Sequence, residues 1–181
     1  MSETQIRPTV ASDLPRLMGF DHSINSEAVW QLELRREAGQ ITAIFREVRL
    51  PRSIAIAYPR NPFSLTDDWT KRSMMYTALS GNDPVGYISL IERSMDSLVY
   101  VTDLVINAAH RRQGMGSQLL SAAQGWSADR GHRRIIFEMQ SKNLPAIRMV
   151  QKFGYEFCGY NDQYYLTQDV TLFFGRALKS S

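Results

Sequence analysis

Two groups of residues in this 181-residue chain have the type and spacing to do chemistry. The first lies in the stretch Asp103 to Leu120, DLVINAAHRRQGMGSQLL. Here a β-branched run ends at Asn107, and Arg111-Arg112-Gln113-Gly114-Met115-Gly116 opens a pattern of helical period. That order describes a strand, a loop and a helix N-terminus. Two glycines one residue apart let the backbone approach a ligand closely, and the first helical N–H groups, unpaired within the helix, favour an anion such as a pyrophosphate. The dinucleotide fingerprint needs a further glycine where Leu119 stands, and the Walker loop needs a Gly-Lys-Ser/Thr, so neither nucleotide fold is supported. The second group is a pair of carboxylates, Asp103 and Glu138, each inside an otherwise apolar strand-like run. A charge in such a run needs a partner or a purpose. Each is a base, or is paired with a nearby arginine, or sits at a strand end in water.

The glycine stretch resembles motif A of the GNAT superfamily of acyl-CoA N-acyltransferases, Arg/Gln-x-x-Gly-x-Gly/Ala, which Arg111, Gly114 and Gly116 fill in order. Asn143-Leu144-Pro145-Ala146 and then Lys152-Phe153-Gly154-Tyr155 are similar to the family's motif B, with a strand-like RRIIFEMQ between the two motifs. A narrower likeness covers residues 98 to 175. TDLVI, FEMQSKN and YNDQYYLTQDVTLFF resemble the matching segments of streptothricin acetyltransferases, whose substrates are cationic antibiotics. The first 95 residues, which should shape the acceptor pocket, carry no such likeness.

The resemblance implies a mixed α/β (α+β) fold: one N-acetyltransferase domain over residues 1–181, with a central, mostly antiparallel twisted sheet flanked by helices and splayed between strands 4 and 5. It implies acetyl-CoA as co-substrate and no metal. Carried over residue by residue, the cofactor would meet Leu104, Val105 and Ile106 through main-chain groups, then Arg111, Arg112, Gln113, Gly114, Met115, Gly116 and Ser117, and on motif B Asn143 and Ala146. The family's usual tyrosine, seven residues after the asparagine, is replaced by Val150. The resemblance puts that position near the cofactor sulfur, and Tyr155, Tyr160, Tyr164 and Tyr165 are the hydroxyls close by in sequence.

An amine attacking a thioester forms a tetrahedral oxyanion, so the site needs backbone donors near the carbonyl and a route for the amine proton. Deprotonating a lysine-like amine at pH 7 costs roughly 4.6 kcal/mol, whereas releasing a thiolate costs about 2 kcal/mol. The base therefore matters more than the acid, and Glu138 and Asp103 are its candidates.

The elements that must position these residues are set by period and punctuation. Residues 4 to 10 read as a first strand, and Ser12 or Asp13 offers an N-cap to a first helix. Ile24 to Gln40 reads as a second helix, with Val29, Leu32 and Arg36 on one side and Gly39 as its stop. Ile41 to Leu50 reads as a strand, and the prolines at 51, 59 and 62 break the chain beyond it into an irregular connection. Met74 to Leu79 and Val85 to Ile91, joined by Ser80-Gly81-Asn82-Asp83-Pro84, read as a hairpin, and Ser97 to Asn107 continues the meander. Gly114 to Arg130 is a helix, Arg134 to Gln140 a buried strand, and Leu144 to Lys152 a short helix. Tyr155 to Gly159 and Asp169 to Leu178 are the last strands.

Composition narrows the remaining choices. At 44% hydrophobic the chain is the size of one core, and its net charge of +3 suits a small anionic ligand without the basic stripe of a nucleic-acid binder. Cys158 is the only cysteine, so no intrachain disulfide forms. His22, His110 and His132 lack metal-ligand spacing. No run has the length of a membrane span or of a signal peptide's apolar core, so a cytoplasmic protein is expected, with no membrane or nucleic-acid partner and a homodimer allowed. Three functions fit. The first is acetyl transfer from acetyl-CoA to a primary amine of a small cationic molecule by direct attack. The others are acetylation of a protein N-terminus or lysine, and an acyl-CoA-binding sensor without turnover.

Overall fold

The computed structural model describes residues 4–93 and 97–178. In chain order the elements are β1 (Thr4–Pro8), α1 (Leu14–Met18), β2 (Ile24–Glu37), β3 (Gln40–Ile56), α2 (Leu65–Asp68), β4 (Met74–Ser80), β5 (Asp83–Arg93), β6 (Leu98–Ile106), α3 (Met115–Asp129), β7 (Arg134–Gln140), α4 (Leu144–Lys152), β8 (Glu156–Asn161) and β9 (Thr171–Ala177). Seven strands form the main sheet in the order β1-β4-β5-β6-β7-β9-β8, while β2 and β3 pair only with each other. All neighbours in the main sheet are antiparallel except β6 and β7, which run parallel. This is the mixed α/β architecture the motifs imply.

Period-2 alternation divides the core between the two faces of the sheet. Met74, Ile88 and Val101 pack under α3 and α4 with Leu119, Ala123, Ile147 and Val150. Met75, Tyr87 and Val105 face the other way, onto Leu14 and Leu17 of α1 and Leu65 of α2. Asp13 stands at the N-cap position of α1 but makes no side-chain capping bond to that helix. Its carboxylate is held instead by Arg7, at 2.7 and 2.8 Å, and by the Val10 amide.

Residues 24 to 40 do not form the expected helix. They make β2, paired with β3 from Glu37↔Gln40 back to Ile24↔Ile56. The buried positions Ser26 and Ala28 alternate, and Trp30 and Phe45 of this hairpin pack against the main core. Gly39, expected to stop a helix, instead lies in the two-residue turn of the hairpin at φ 74°, a left-handed conformation that suits either role. Pro51 lies where four residues of β3 stand against Glu27 of β2, so the strand continues past it to Ile56. The Trp30 amide donates to the Ser141 carbonyl at 2.9 Å, which ties the hairpin to the loop before α4.

Strands β6 and β7 pair only from Leu98↔Arg134 to Val101↔Phe137 and then part. They are the fourth and fifth strands of the main sheet in chain order, so the splay is where it was expected. A β-bulge at Thr102, between the Leu90↔Val101 and Ser89↔Asp103 pairs, marks the start of the divergence. A bulge bends the strand and re-aims its side chains, which puts Asp103 beside the fork on β6 as Glu138 stands beside it on β7.

Candidate active site in the parted sheet

The gap between β6 and β7 opens into one cleft of about 930 Å3. Its walls are β6 beyond the bulge, the start of α3, β7, the cleft-facing side of α4, and the segment from Ala57 to Arg60 with the base of the β2–β3 hairpin. Leu104, Val105 and Ile106 line it where β6 has lost its neighbour, so main-chain donors and acceptors along that edge are left for a ligand. Arg111, Arg112, Gly114, Met115, Gly116 and Ser117 line the part nearest α3. Arg112 and Gly114 both adopt left-handed φ, at 64° and 85°, and the first intrahelical bond runs from the Gln118 amide to the Gly114 carbonyl at 3.1 Å. The amides ahead of Gln118 have no helical acceptor, which makes this turn an anion-binding concavity at the positive end of a 15-residue helix.

Two motif A side chains take other work. Arg111 donates through Nε to the Ile106 carbonyl at 2.9 Å and through Nη2 to the Asp21 carbonyl at 3.0 Å, bracing the loop. Gln113 does not line the cleft. Its Nε2 donates to the Ala109 carbonyl at 3.2 Å, so its side chain closes the loop. Asn143 caps α4 by accepting from the Ala146 amide at 3.2 Å, and both residues also line the cleft.

Val150 does not face the cofactor side. It is fully buried in the core beneath α4, while its neighbour Met149 lines the cleft. One residue turns a helix by about 100°, which carries position 150 away from the gap. Of the four tyrosines considered, Tyr155 is bonded to Gln124 and Tyr160 packs edge-on to Phe45; neither lines the cleft. Tyr165 does line it, and the Tyr164 hydroxyl donates to Glu138 Oε2 at 2.7 Å.

The two carboxylates come together, but through residues that sequence reading missed. Arg60 forks between them. Its Nη1 donates to Asp103 Oδ1 at 3.1 Å and to the Thr102 carbonyl at 2.9 Å, and its Nη2 donates to Glu138 Oε1. Asp103 further accepts from the Tyr58 hydroxyl on Oδ1, and from Ser89 at 2.7 Å and Thr102 at 2.9 Å on Oδ2, with Arg72 at 3.8 Å behind it. Burial alone would raise the Asp103 pKa, but the Arg60 charge and these donors outweigh it and hold the carboxyl below its usual range. Glu138 has fewer partners. Burial pushes its pKa above the usual carboxylate value, against the pull of Arg60 and the Tyr164 hydrogen bond. Glu138 lines the cleft and Asp103 does not, so of the two only Glu138 is placed to take a proton from something in it. The one signal in the sequence for Arg60 and Tyr58 was indirect: two carboxylates in apolar strands demanded a cation.

A mostly antiparallel sheet parted at its single parallel pair, with a glycine-led helix N-terminus beside the gap, is the arrangement that the resemblance to acyl-CoA N-acyltransferases implies. Residues 41–155 match the acetyltransferase (GNAT) family, and the chain belongs to it, with acetyl-CoA as acyl donor. The chain is 21% identical over 169 residues to the streptothricin acetyltransferase of Streptomyces lavendulae, covering 91% of this chain and 87% of that one. Its fold matches the crystal structure of nourseothricin acetyltransferase with a TM-score of 0.81 at 20% identity, over 97% of this chain and 99% of the other. It also matches a Bacillus anthracis str. Ames protein described as a streptothricin acetyltransferase and solved with acetyl coenzyme A, with a TM-score of 0.76 at 21% identity, over 98% and 99% of the two chains.

Proposed function

We propose that this chain transfers the acetyl group of acetyl-CoA to a primary amine of a small cationic molecule, by direct attack of the amine on the thioester. The observation that carries the reading is the continuity of the cleft, from the amides at the start of α3, past the unpaired edge of β6, to Glu138 at the fork. The likeness to streptothricin acetyltransferases over most of the chain supports a small amine as acceptor.

In this reading the pyrophosphate of acetyl-CoA lies on the turn from Arg112 to Ser117. The pantetheine continues the sheet along Leu104 to Ile106 and passes Asn143 and Ala146. The acceptor enters from the side closed by Tyr58, Arg60 and the base of the hairpin. Glu138 takes the amine proton as the C–N bond forms, and its raised pKa makes it a better match for that proton than an ordinary carboxylate. The tetrahedral intermediate then collapses, the C–S bond breaks, and the thiolate departs. No tyrosine on α4 protonates it, and none is required, because release as thiolate costs only about 2 kcal/mol near neutral pH.

Release of free thiol from acetyl-CoA, measured with a streptothricin and a panel of other amines, tests the reading. Acceptor-dependent release is expected. A chain that binds acetyl-CoA yet releases thiol no faster than buffer with every amine is a sensor, and the proposal is then wrong.

A further inference from the structure

Where β6 and β7 stop pairing, one guanidinium takes the place of the missing ladder. Arg60 satisfies the freed Thr102 carbonyl and bridges Asp103 to Glu138, although it belongs to neither strand and stands 42 residues before Thr102 and 78 before Glu138. Its own position is overdetermined. The neighbouring Tyr58 hydroxyl donates to the same Asp103 oxygen, and the guanidinium lies over the Tyr165 ring at 5.1 Å from its centre. Asp103 keeps a second arginine, Arg72, at 3.8 Å, whereas Arg60 is the single arginine on Glu138 among the described residues.

We propose that Arg60 is a positioning residue that gives the two carboxylates unequal roles, fixing Asp103 as a structural anion and holding Glu138 ionised with Oε2 turned toward the acceptor. This rests on the acetyl-transfer reading above. Oε1 is taken by Arg60, while Oε2 meets the hydroxyl of the exposed Tyr164, which an arriving amine can displace. The Arg60 contact pins Oε1 of Glu138, so the side chain is limited in rotation and the lone pair that takes the proton keeps one direction.

The groups facing Glu138 are Arg60 from the segment after β3, Tyr164 and Tyr165 from the loop before β9, and Asp103 from β6, which carries Tyr58 and Arg72 with it. Removing the Arg60 charge leaves a buried carboxylate with a neutral donor and an anionic neighbour. Burial and the Asp103 charge then push its pKa upward, with the Tyr164 hydrogen bond against them.

The test is the Glu138 carboxyl titration in 13C-labelled protein, read by NMR in wild type, Arg60→Gln and Arg60→Lys, beside the pH profile of kcat/KM with acetyl-CoA and a streptothricin. Arg60→Gln should move both the titration and the acidic limb of the profile up by about 1–3 pH units, the usual effect of an arginine beside a carboxylate. Arg60→Lys should move them less, and if Arg60→Gln fails to fold, the lysine variant carries the test with a smaller shift in the same direction. Glu138→Gln should abolish that limb, and adding Arg60→Gln to it should move nothing further. An unmoved Glu138 titration in a folded Arg60 variant overturns the proposal. So does a fall in KM for the cationic acceptor without a change in the limb, which would make Arg60 a resident substitute for the acceptor's charge. The NMR titration decides the point even if no amine is turned over, so failure of this inference and failure of the acetyl-transfer reading are separable.

Discussion

Placing a negative charge at Gly114 should abolish acetyl-CoA binding while leaving a folded protein. Gly114 sits at the N-cap of α3 with φ 85° and no atom within 4 Å of where a Cβ would stand. Any L side chain there incurs left-handed strain of about 1–2 kcal/mol but no clash. At this chain length 1 kcal/mol moves Tm by about 2–4 °C, so strain alone lowers Tm by about 2–8 °C. In Gly114→Glu part of that is offset, since a carboxylate near a helix N-terminus contributes about 0.3–1 kcal/mol. Acetyl-CoA at 100 times its Kd adds roughly 2.7 kcal/mol, a rise in Tm of about 5–11 °C in wild type. Gly114→Ala carries the strain without the charge and should keep most of that rise. Gly114→Glu should show none, because its carboxylate occupies the anion site and repels the pyrophosphate. Thermal melts of the three proteins across an acetyl-CoA titration measure this. A full rise in folded Gly114→Glu, or an equal loss in both variants, would show that the diphosphate does not lie on this turn.

Asp103→Asn leaves Arg72 facing a neutral group and Arg60 with Glu138 alone, and should cost about 3–5 kcal/mol at pH 7, read by urea unfolding. Because the folded-state pKa of Asp103 is lowered, its stabilisation is present above the unfolded value and lost as pH falls through the folded one, so the deficit of the variant should shrink on acidification. Val150→Tyr should destabilise by about 1–3 kcal/mol through overpacking and give no gain in turnover, since the position faces the core. Tyr155→Phe and Tyr160→Phe should match wild type in thiol release, because neither hydroxyl reaches the cleft.

The half of the chain from Met74 onward was legible because its signals are local. The turn formers at Gly81-Asn82, the strand-to-glycine-to-helix order at Gly114 and the Asn143 cap each sit within a few residues of what they specify. Residues 24 to 37 were misread because β2 lies outside the main sheet and is only half covered. Val29 and Leu32 satisfied a helical spacing as well as Trp30, Leu32 and Leu34 satisfied an alternating one, and Gly39 punctuates both. The site split the same way. Glycine turn, strand edge and cap are local patterns, while the bulge at Thr102 depends on the register of β6 against β5 and the Arg60 fork on contacts across 42 to 78 residues, which no local pattern encodes. Val150 shows the limit of spacing alone, since a single helical step separates a cleft residue from a core one.

The most direct measurement is the rate of thiol release from acetyl-CoA by Glu138→Gln, with a streptothricin as acceptor, alongside its affinity for acetyl-CoA. The substitution keeps the shape and an oxygen that accepts from Arg60, turns the Tyr164 hydrogen bond round, and removes the base. Turnover should fall about 10²–10⁴-fold at neutral pH with acetyl-CoA affinity unchanged, as expected of a general base. Wild-type turnover in Glu138→Gln would mean that the amine loses its proton elsewhere and that the carboxylate at the fork is structural.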